Sequence, residues 1–395
     1  MPALPARGNV EYPSPAENEN SESSAMAKSN KKTNSAARPP DLDKLRAQLG
    51  KIDRELVKLI NERAKTAVKI GLLKQKTGEA VYQPAREEEV LARAEQCNRG
   101  PLPNEDLRAV FRELISGARK LEKSLRVAFL GPAYSYSHLA AMERFGQAVE
   151  LIPVSSIGAV FEEVNRDHVD FGLVPVENST DGRVADTLEM FTRMPVRICA
   201  EVPLPIHHNL LARCGRNEIE EVYSRPQALS QCRNWLAKHL PRARTIEVTS
   251  TSTAAQLAND KPGVAAIASA QAGVHYGLNV VAENIEDNRS NVTRFAVIGQ
   301  ETGERTGDDK TAMMLEVEHR SGALADVINV FKRQKLNLTW IESFPVFESP
   351  GEYLFFVEMQ GHEYDAKLRR AVAALERKTS RLVILGSYPR MGRTQ

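Results

Sequence analysis

The chain has 395 residues, a 42% apolar fraction, and 53 Lys plus Arg against 51 Asp plus Glu, leaving a formal charge of +2. That length allows two or three domains, each with its own core, and the near-balance of charge excludes a global basic field for nucleic acid or a membrane surface, pointing to small-molecule chemistry. No apolar run is long enough to span a bilayer, and Cys97, Cys199, Cys214 and Cys232, with no CxxC spacing and no secretory signal, favour reduced thiols in a cytoplasmic protein over disulfides or a metal site.

Residues 1–40 are rich in Ser, Asn, Pro, Glu and Lys and nearly empty of large apolar groups, so they cannot offset the entropy of ordering and are expected to form a disordered tail. Two further readings stay open for this segment. Met26, followed by Ala27-Lys28-Ser29, suits a start site, and a targeting segment is the other reading, against which the several Glu argue.

After Pro39-Pro40, Asp41 is placed as an N-cap, and Leu42, Leu45, Leu49, Ile52, Leu56 and Leu59 recur at spacings of three and four, predicting a long amphipathic helix to about residue 76. Arg63 and Lys74 are about three turns apart and project from nearly the same side. Arg46 lies about 25 Å along the axis from Arg63 and on a different face. If the three share a site, Arg46 comes from a second chain. A second helix is expected over 84–98, containing Arg86 and Glu87, and a third over 104–123 after the Gly100-Pro101 break, with Glu122 near its end.

The segments Leu45-Arg46, Asn61-Glu62-Arg63, Gly71-Leu72-Leu73-Lys74 and Arg86-Glu87-Glu88-Glu89 resemble the all-helical chorismate mutase domain, whose protomers intertwine through a long first helix. The resemblance implies that Arg46 of one protomer and Arg63 of the other clamp the two carboxylates of the substrate. It also implies that Lys74 and Glu122 address the ether oxygen, that Glu87 takes the ring hydroxyl with Gln83 nearby, and that Arg86 joins the substrate-binding groups. Glu122 stands in place of the Gln of some relatives, and Ala118 where a Ser occurs. The implied rearrangement is unimolecular and needs neither nucleophile nor proton transfer, so fixed cations that hold one conformer and stabilise growing charge are sufficient chemistry.

From Leu125 strands and helices alternate: strand 127–130, helix 137–145, strand 149–154, helix 156–166 and strand 171–176. After the apolar segment 196–211, read as a crossing between lobes, come strand 220–223, helix 227–239, strand 245–248, helix 253–259, strand 264–268 and finally strand 295–298. The expectation is a two-lobed α/β domain with parallel-type sheets and ligands outside the carboxyl ends of strands. Polar clusters fall there: Ser135-Tyr136-Ser137-His138, Glu177 to Gly182, Ser224-Arg225-Pro226-Gln227, Thr249 to Thr253, and Thr293-Arg294. Any one of them also reads as a helix cap.

Together, Gly131-Pro132, Val174-Pro175-Val176-Glu177-Asn178-Ser179, Tyr223-Ser224-Arg225-Pro226-Gln227 and Asn291-Val292-Thr293-Arg294-Phe295 resemble prephenate dehydratase. The resemblance implies Thr293 as hydrogen-bond donor to the departing hydroxyl, Asn178, Ser224, Gln227, Gln231 and Ser252 as supporting polar groups, and Arg294 as the anion partner. His138 and Glu177 are rival acids, of which only Glu177 has a carboxyl that burial raises toward neutrality. Tyr134 stands where the family's first loop usually has Gly, narrowing the cleft.

A polar linker at 301–310 precedes strand 311–317, helix 324–335, strand 336–346, strand 353–359, helix 365–378 and strand 382–386, a ferredoxin-like βαββαβ order. Ser321-Gly322-Ala323-Leu324 and Glu342-Ser343-Phe344-Pro345 resemble the ligand-binding motifs of the ACT domain. This implies that phenylalanine binds between paired protomers at Gly322, Ala323, Leu324, Glu342 and Ser343; Phe344 departs from an Arg common in relatives. A plain dimerisation domain is the alternative.

The whole is similar to the bifunctional P-protein family, chorismate mutase/prephenate dehydratase: a tail (1–40), a helical mutase (41–124), a dehydratase (125–300), a linker (301–310) and an ACT domain (311–388). The resemblance implies conversion of chorismate to prephenate and of prephenate to phenylpyruvate, without cofactor or metal, in a homodimer or higher homo-oligomer controlled by phenylalanine. An arogenate dehydratase fused to a mutase is one rival. A catalytically silent amino-acid sensor is another, against which Arg63, Lys74, Glu87 and Thr293 argue.

Overall fold

The computed structural model describes residues 40–77, 80–345 and 353–391, so residues 1–39 of the expected tail 1–40 and the last residue of the expected strand 336–346 lie outside the described residues. Of the described residues, those up to Lys58 fall in one compact unit and those from Leu59 in a second. Helix α1 (Pro40–Thr77) carries Asp41 and Asp43 in its first turn and Lys74 and Lys76 in its last, both favourable to the helix dipole. Asp41 thus lies within the first turn instead of capping it. The predicted apolar stripe is exposed: Leu42, Leu45, Leu49, Ile52 and Leu56 in the first unit, and Leu59 in the second, where Leu72 and Leu73 are exposed as well. Helix α2 (Pro84–Cys97), with Pro at its start, packs on α3 (Asn104–Glu122), and Arg108 joins them through Glu88 (2.6 Å) and Glu95 (3.0 Å).

The first lobe of the α/β part comprises β1 (Arg126–Leu130), α4 (Tyr136–Phe145), β2 (Glu150–Val154), α5 (Ile157–Asn165), β3 (Phe171–Asn178), β4 (Gly182–Arg183), α6 (Ala185–Arg193) and β5 (Arg197–Pro205). The second holds β6 (Asn209–Ala212), β7 (Glu221–Ser224), α7 (Pro226–Gln231), α8 (Arg233–His239), β8 (Arg244–Glu247), α9 (Thr251–Asp260), β9 (Val264–Ala268), α10 (Ala270–Tyr276) and β10 (Asn279–Ala282). Strand β11 (Val292–Gly299) then returns to the first lobe.

The sheet orders are β2-β1-β3-β11-β5, with β4 on β3, and β10-β6-β9-β7-β8. The expected parallel sheets are in fact mixed: β11 runs antiparallel to both β3 and β5, and β6 antiparallel to β9 and β10. Connectivity forces this, because the chain leaves the first lobe at the end of β5 and re-enters at the start of β11 from the same edge, so the two strands must oppose. The expected helix 227–239 is two helices, since the returning segment caps the second: Asp287 accepts from Asn234 N–H (3.1 Å) and Trp235 N–H (3.3 Å).

Strands β12 (Asp309–Val317), β13 (Leu338–Pro345), β14 (Tyr353–Gln360) and β15 (Arg381–Pro389) form an antiparallel sheet ordered β13-β14-β12-β15, with helices α11 (Ala323–Gln334) and α12 (Ala366–Leu375) between them in βαββαβ order. One face of this sheet packs on the two helices through Val327, Phe331, Leu368 and Leu375. The other is continuous with the core of the first lobe, where Met314, Phe356 and Tyr388 join Phe161, Phe191 and Ile198. Gly386 permits the approach. A Cβ there would lie 2.1 Å from the carbonyl oxygen of Ile198, and its φ of +146° is one side chains rarely adopt.

Candidate active sites

Thr293 pairs in register with Asn178, the last residue of β3, and the pair opens onto the end of the first-lobe sheet. The Asn178 carboxamide oxygen accepts the backbone N–H groups of Thr180 (2.9 Å) and Asp181 (3.0 Å). Those donors cannot reverse, so the amide orientation is set and its NH2 faces Asn291 Oδ1 (2.9 Å) and Thr293 Oγ1 (2.8 Å). With its oxygen accepting there, the Thr293 hydroxyl must aim its own proton elsewhere. Asn291, 1% exposed, continues the chain to Gln231 Oε1 (3.0 Å), which His208 Nε2 also approaches (2.9 Å), while Gln231 Nε2 donates to Asp181 (3.0 Å). The structure therefore joins Thr293, Asn178 and Gln231, and adds Asn291, Asp181 and His208. Asn291 precedes Thr293 by two residues on one face of the segment entering β11, a period-2 signal already present in the sequence.

Arg294 is a correction. Adjacent strand residues face opposite ways, so with Thr293 in the cleft Arg294 points into the seam with the βαββαβ domain. There it meets Glu358 (2.6 Å), Glu177 (3.3 Å) and Glu201 (3.7 Å) and stacks 4.9 Å from the Trp340 ring. Three carboxylates already surround it, with Lys310 adding a second cation 2.7 Å from Glu201, so Arg294 holds the fold together and is no anion partner in the cleft. Glu177 is Arg294's register partner and shares its face. Burial raises the Glu177 pKa against the pull of Arg294, but its carboxyl is turned away from Thr293.

His138 fails as an acid for a different reason. Its Nδ1 accepts the Tyr134 N–H at 2.9 Å and so has no proton to give, and burial, with His275 nearby, lowers its pKa. Tyr134 has φ of +62°, the conformation that explains a Gly at this place, and its ring stacks on His275 of the second lobe at 3.8 Å. Ser224 and Ser252 are fully buried and donate to backbone carbonyls, Ser224 to Ile267 (2.7 Å) and Ser252 to Ala133 (2.6 Å). They secure strands and loops instead of facing the cleft. Gln227 is exposed on the first turn of α7.

In the helical part, Arg63 Nη1 donates to the Leu114 carbonyl of α3 (3.2 Å). Glu122 lies over Gly71, where a Cβ would meet its Cγ at 2.6 Å, so the glycine is what lets α3 close on α1. One Glu122 oxygen is buried without a hydrogen-bond partner. Burial raises the Glu122 pKa; Lys74 and Arg119 oppose the rise, and Glu87 adds to it. Glu87 pairs with Arg119 (3.0 Å), a residue the sequence reading passed over. Arg86 turns outward to Glu89 on the exposed face of α2, one position from Glu87 and so about 100° around the helix. Gln83 donates to Glu304 (2.8 Å) in the polar linker, a partner no helical periodicity points to. In the first unit, Arg46 lies 3.8 Å from Asp43.

Gly322, at φ +83°, caps α11 with Ala323 buried and Leu324 exposed behind it. Glu342 bonds Arg183 of β4 (3.0 Å), Ser343 is exposed, and Phe344 packs against the shared core.

Residues 45–123 match the model of the family Chorismate mutase type II and residues 127–303 that of Prephenate dehydratase. The bifunctional chorismate mutase/prephenate dehydratase of Aquifex aeolicus is 41% identical over 355 residues, covering 89% of this chain and 98% of that protein. That of Neisseria gonorrhoeae is 41% identical over 342 residues, covering 86% and 94%. Among solved structures, a prephenate dehydratase from Arthrobacter aurescens in complex with L-Phe is 34% identical, with a TM-score of 0.63 over 67% of this chain and 90% of that one. The two domain matches in this order, at such identity over nearly the full length of the relatives, mean that the chain belongs to the bifunctional chorismate mutase/prephenate dehydratase family.

Proposed function

We propose that the chain converts chorismate to prephenate in its helical part and prephenate to phenylpyruvate in its α/β part, with phenylalanine, the end product, acting on the βαββαβ domain. In the second step the ring carboxylate leaves as carbon dioxide, its bonding electrons aromatise the ring, and hydroxide departs. Thr293 hydrogen-bonds that hydroxide as it leaves. The single observation that carries this assignment is the Asn178 amide, which occupies the Thr293 oxygen and leaves its proton free to donate. Asn291 and Gln231 hold Asn178 in turn.

In the first step Lys74 and a protonated Glu122 face the ether oxygen, where negative charge grows, and Glu87 takes the ring hydroxyl. Arg63 holds one carboxylate, and Arg46 comes from a second protomer. The exposed leucine stripe of α1 supports such a homodimer, because a face of that kind is covered by another helix. The terminal domain is read as an ACT domain that binds phenylalanine around Gly322 to Leu324 and Glu342-Ser343. Among the described residues no helix is long and apolar enough to cross a membrane, which suits a cytoplasmic enzyme.

The test supplies purified chain with chorismate, prephenate and arogenate separately and follows phenylpyruvate and phenylalanine, with calorimetry for phenylalanine binding. Phenylpyruvate from both chorismate and prephenate is expected. Turnover of arogenate alone would reassign the second step, and no heat of phenylalanine binding would remove the regulatory role.

A further inference from the structure

The helical part is not merely tethered to the α/β part. The loop before α2 inserts Tyr82 into the core of the first lobe, 5% exposed among Val127, Phe129 and Val297, with its ring 5.0 Å from Phe145 and 4.7 Å from Phe171. Its hydroxyl accepts from Arg144 Nε of α4 (2.6 Å). Beside it Arg119 of α3 is 4% exposed, its guanidinium 5.3 Å from the Tyr82 ring and 5.7 Å from the Phe145 ring. One terminal nitrogen of Arg119 donates to Glu87 Oε1 (3.0 Å) and the other to the carbonyl oxygen of Phe145 (2.7 Å). A planar fork bonded at both ends and stacked on two rings has one orientation. That orientation is set by the dehydratase backbone and transmitted to a carboxylate of the mutase.

We propose that Arg119 is a positioning residue for the mutase step: it fixes Glu87 from behind, borrows its own placement from Phe145 of the dehydratase part, and so makes the mutase site depend on that part being folded. The inference rests on the assignment of Glu87 and Glu122 to chorismate. Arg119 touches no substrate.

The test uses the full chain with Arg119→Ala and Arg119→Lys, measuring kcat and KM for chorismate across pH and prephenate turnover in the same preparations. Arg119→Ala is expected to lower mutase kcat by about a hundredfold, the cost of a misplaced group, while prephenate turnover holds and reports an intact fold. The pH profile separates positioning from general loosening. Lys74 of α1, Glu87 of α2 and Arg119 face Glu122, and Arg119 is one of the two cations that favour its ionised form. Removing Arg119 therefore keeps Glu122 protonated to higher pH and moves the alkaline fall of mutase activity upward. Arg119→Lys keeps the charge, so its alkaline fall stays in place while its kcat is intermediate.

An Arg119→Ala protein with wild-type mutase kcat, or one in which both activities drop together, or an alkaline fall that does not move, overturns the inference. Failure of the wild-type chain to turn over chorismate sinks instead the functional reading beneath it.

Discussion

Replacing Thr293 by Val keeps a β-branched side chain at a strand position and removes only the hydroxyl. In the folded state the loss strands one Asn178 N–H, which keeps Asn291 as partner for the other at 2.9 Å, so the stability cost is about 1 to 2 kcal/mol. The catalytic cost is larger. Deleting a single donor aimed at developing negative charge costs on the order of a hundred- to a thousandfold in kcat, about 2.7 to 4 kcal/mol. Prephenate turnover should fall by that factor with chorismate turnover unchanged, and Thr293→Ser, which keeps the hydroxyl, should recover most of it. Phenylpyruvate formation from prephenate is the assay, with the denaturant midpoint showing that the small stability loss leaves the protein folded under assay conditions. A Val variant that keeps its kcat would refute both the donor role and the reasoning from the Asn178 amide.

The helical site makes the complementary prediction: Arg63→Ala or Lys74→Ala should lower chorismate turnover by about two to four orders of magnitude while prephenate turnover stays near normal, and joint loss would mean that the sites are not separate. Glu122 is raised by burial and must be protonated to donate, so mutase activity is present below its folded-state pKa and falls as pH climbs through it. Glu122→Gln cannot titrate and should flatten that fall; an identical profile would remove Glu122 from the chemistry. Glu358 is buried against Arg294, Lys310 and Tyr388, and Glu358→Gln leaves those cations short of a counter-charge, at a cost of about 3 kcal/mol, the low end for a broken buried pair because Glu177 and Glu201 remain. Chemical denaturation measures it, and a midpoint shift near zero would show that the cluster is not a buried network.

Phenylalanine control cannot be tested simply by cutting the chain near Asp309. That cut would strip Met314, Phe356 and Tyr388 from the core they share with Phe161 and Ile198, so loss of activity would report unfolding. Calorimetry on the whole chain avoids the difficulty.

Local patterns in the sequence determined a good deal. The leucine spacing of α1, the βαββαβ alternation of the terminal domain and the motifs around Asn178 and Thr293 depend on short-range periodicity, which the backbone obeys wherever it is placed. Helix existence and the pairing of a hydroxyl with an amide at a strand end were legible for that reason. What the tertiary structure alone decided concerns direction and neighbours. Whether Arg294 or Thr293 enters the cleft depends on the register of β11 against β3, which brings Thr293 to Asn178 and Arg294 to Glu177. Ser224 and Ser252 read as cleft groups until carbonyls from distant segments claim their hydroxyls. The break at Cys232 and the antiparallel entry of β11 likewise come from chain that returns after crossing the second lobe. Arg119 was invisible in the sequence because its meaning lies in Glu87 and Phe145, residues 32 and 26 positions away that only packing brings within reach. Local preference is a property of a few consecutive residues, whereas facing, burial and charge partnership are set by contacts between segments far apart in the chain.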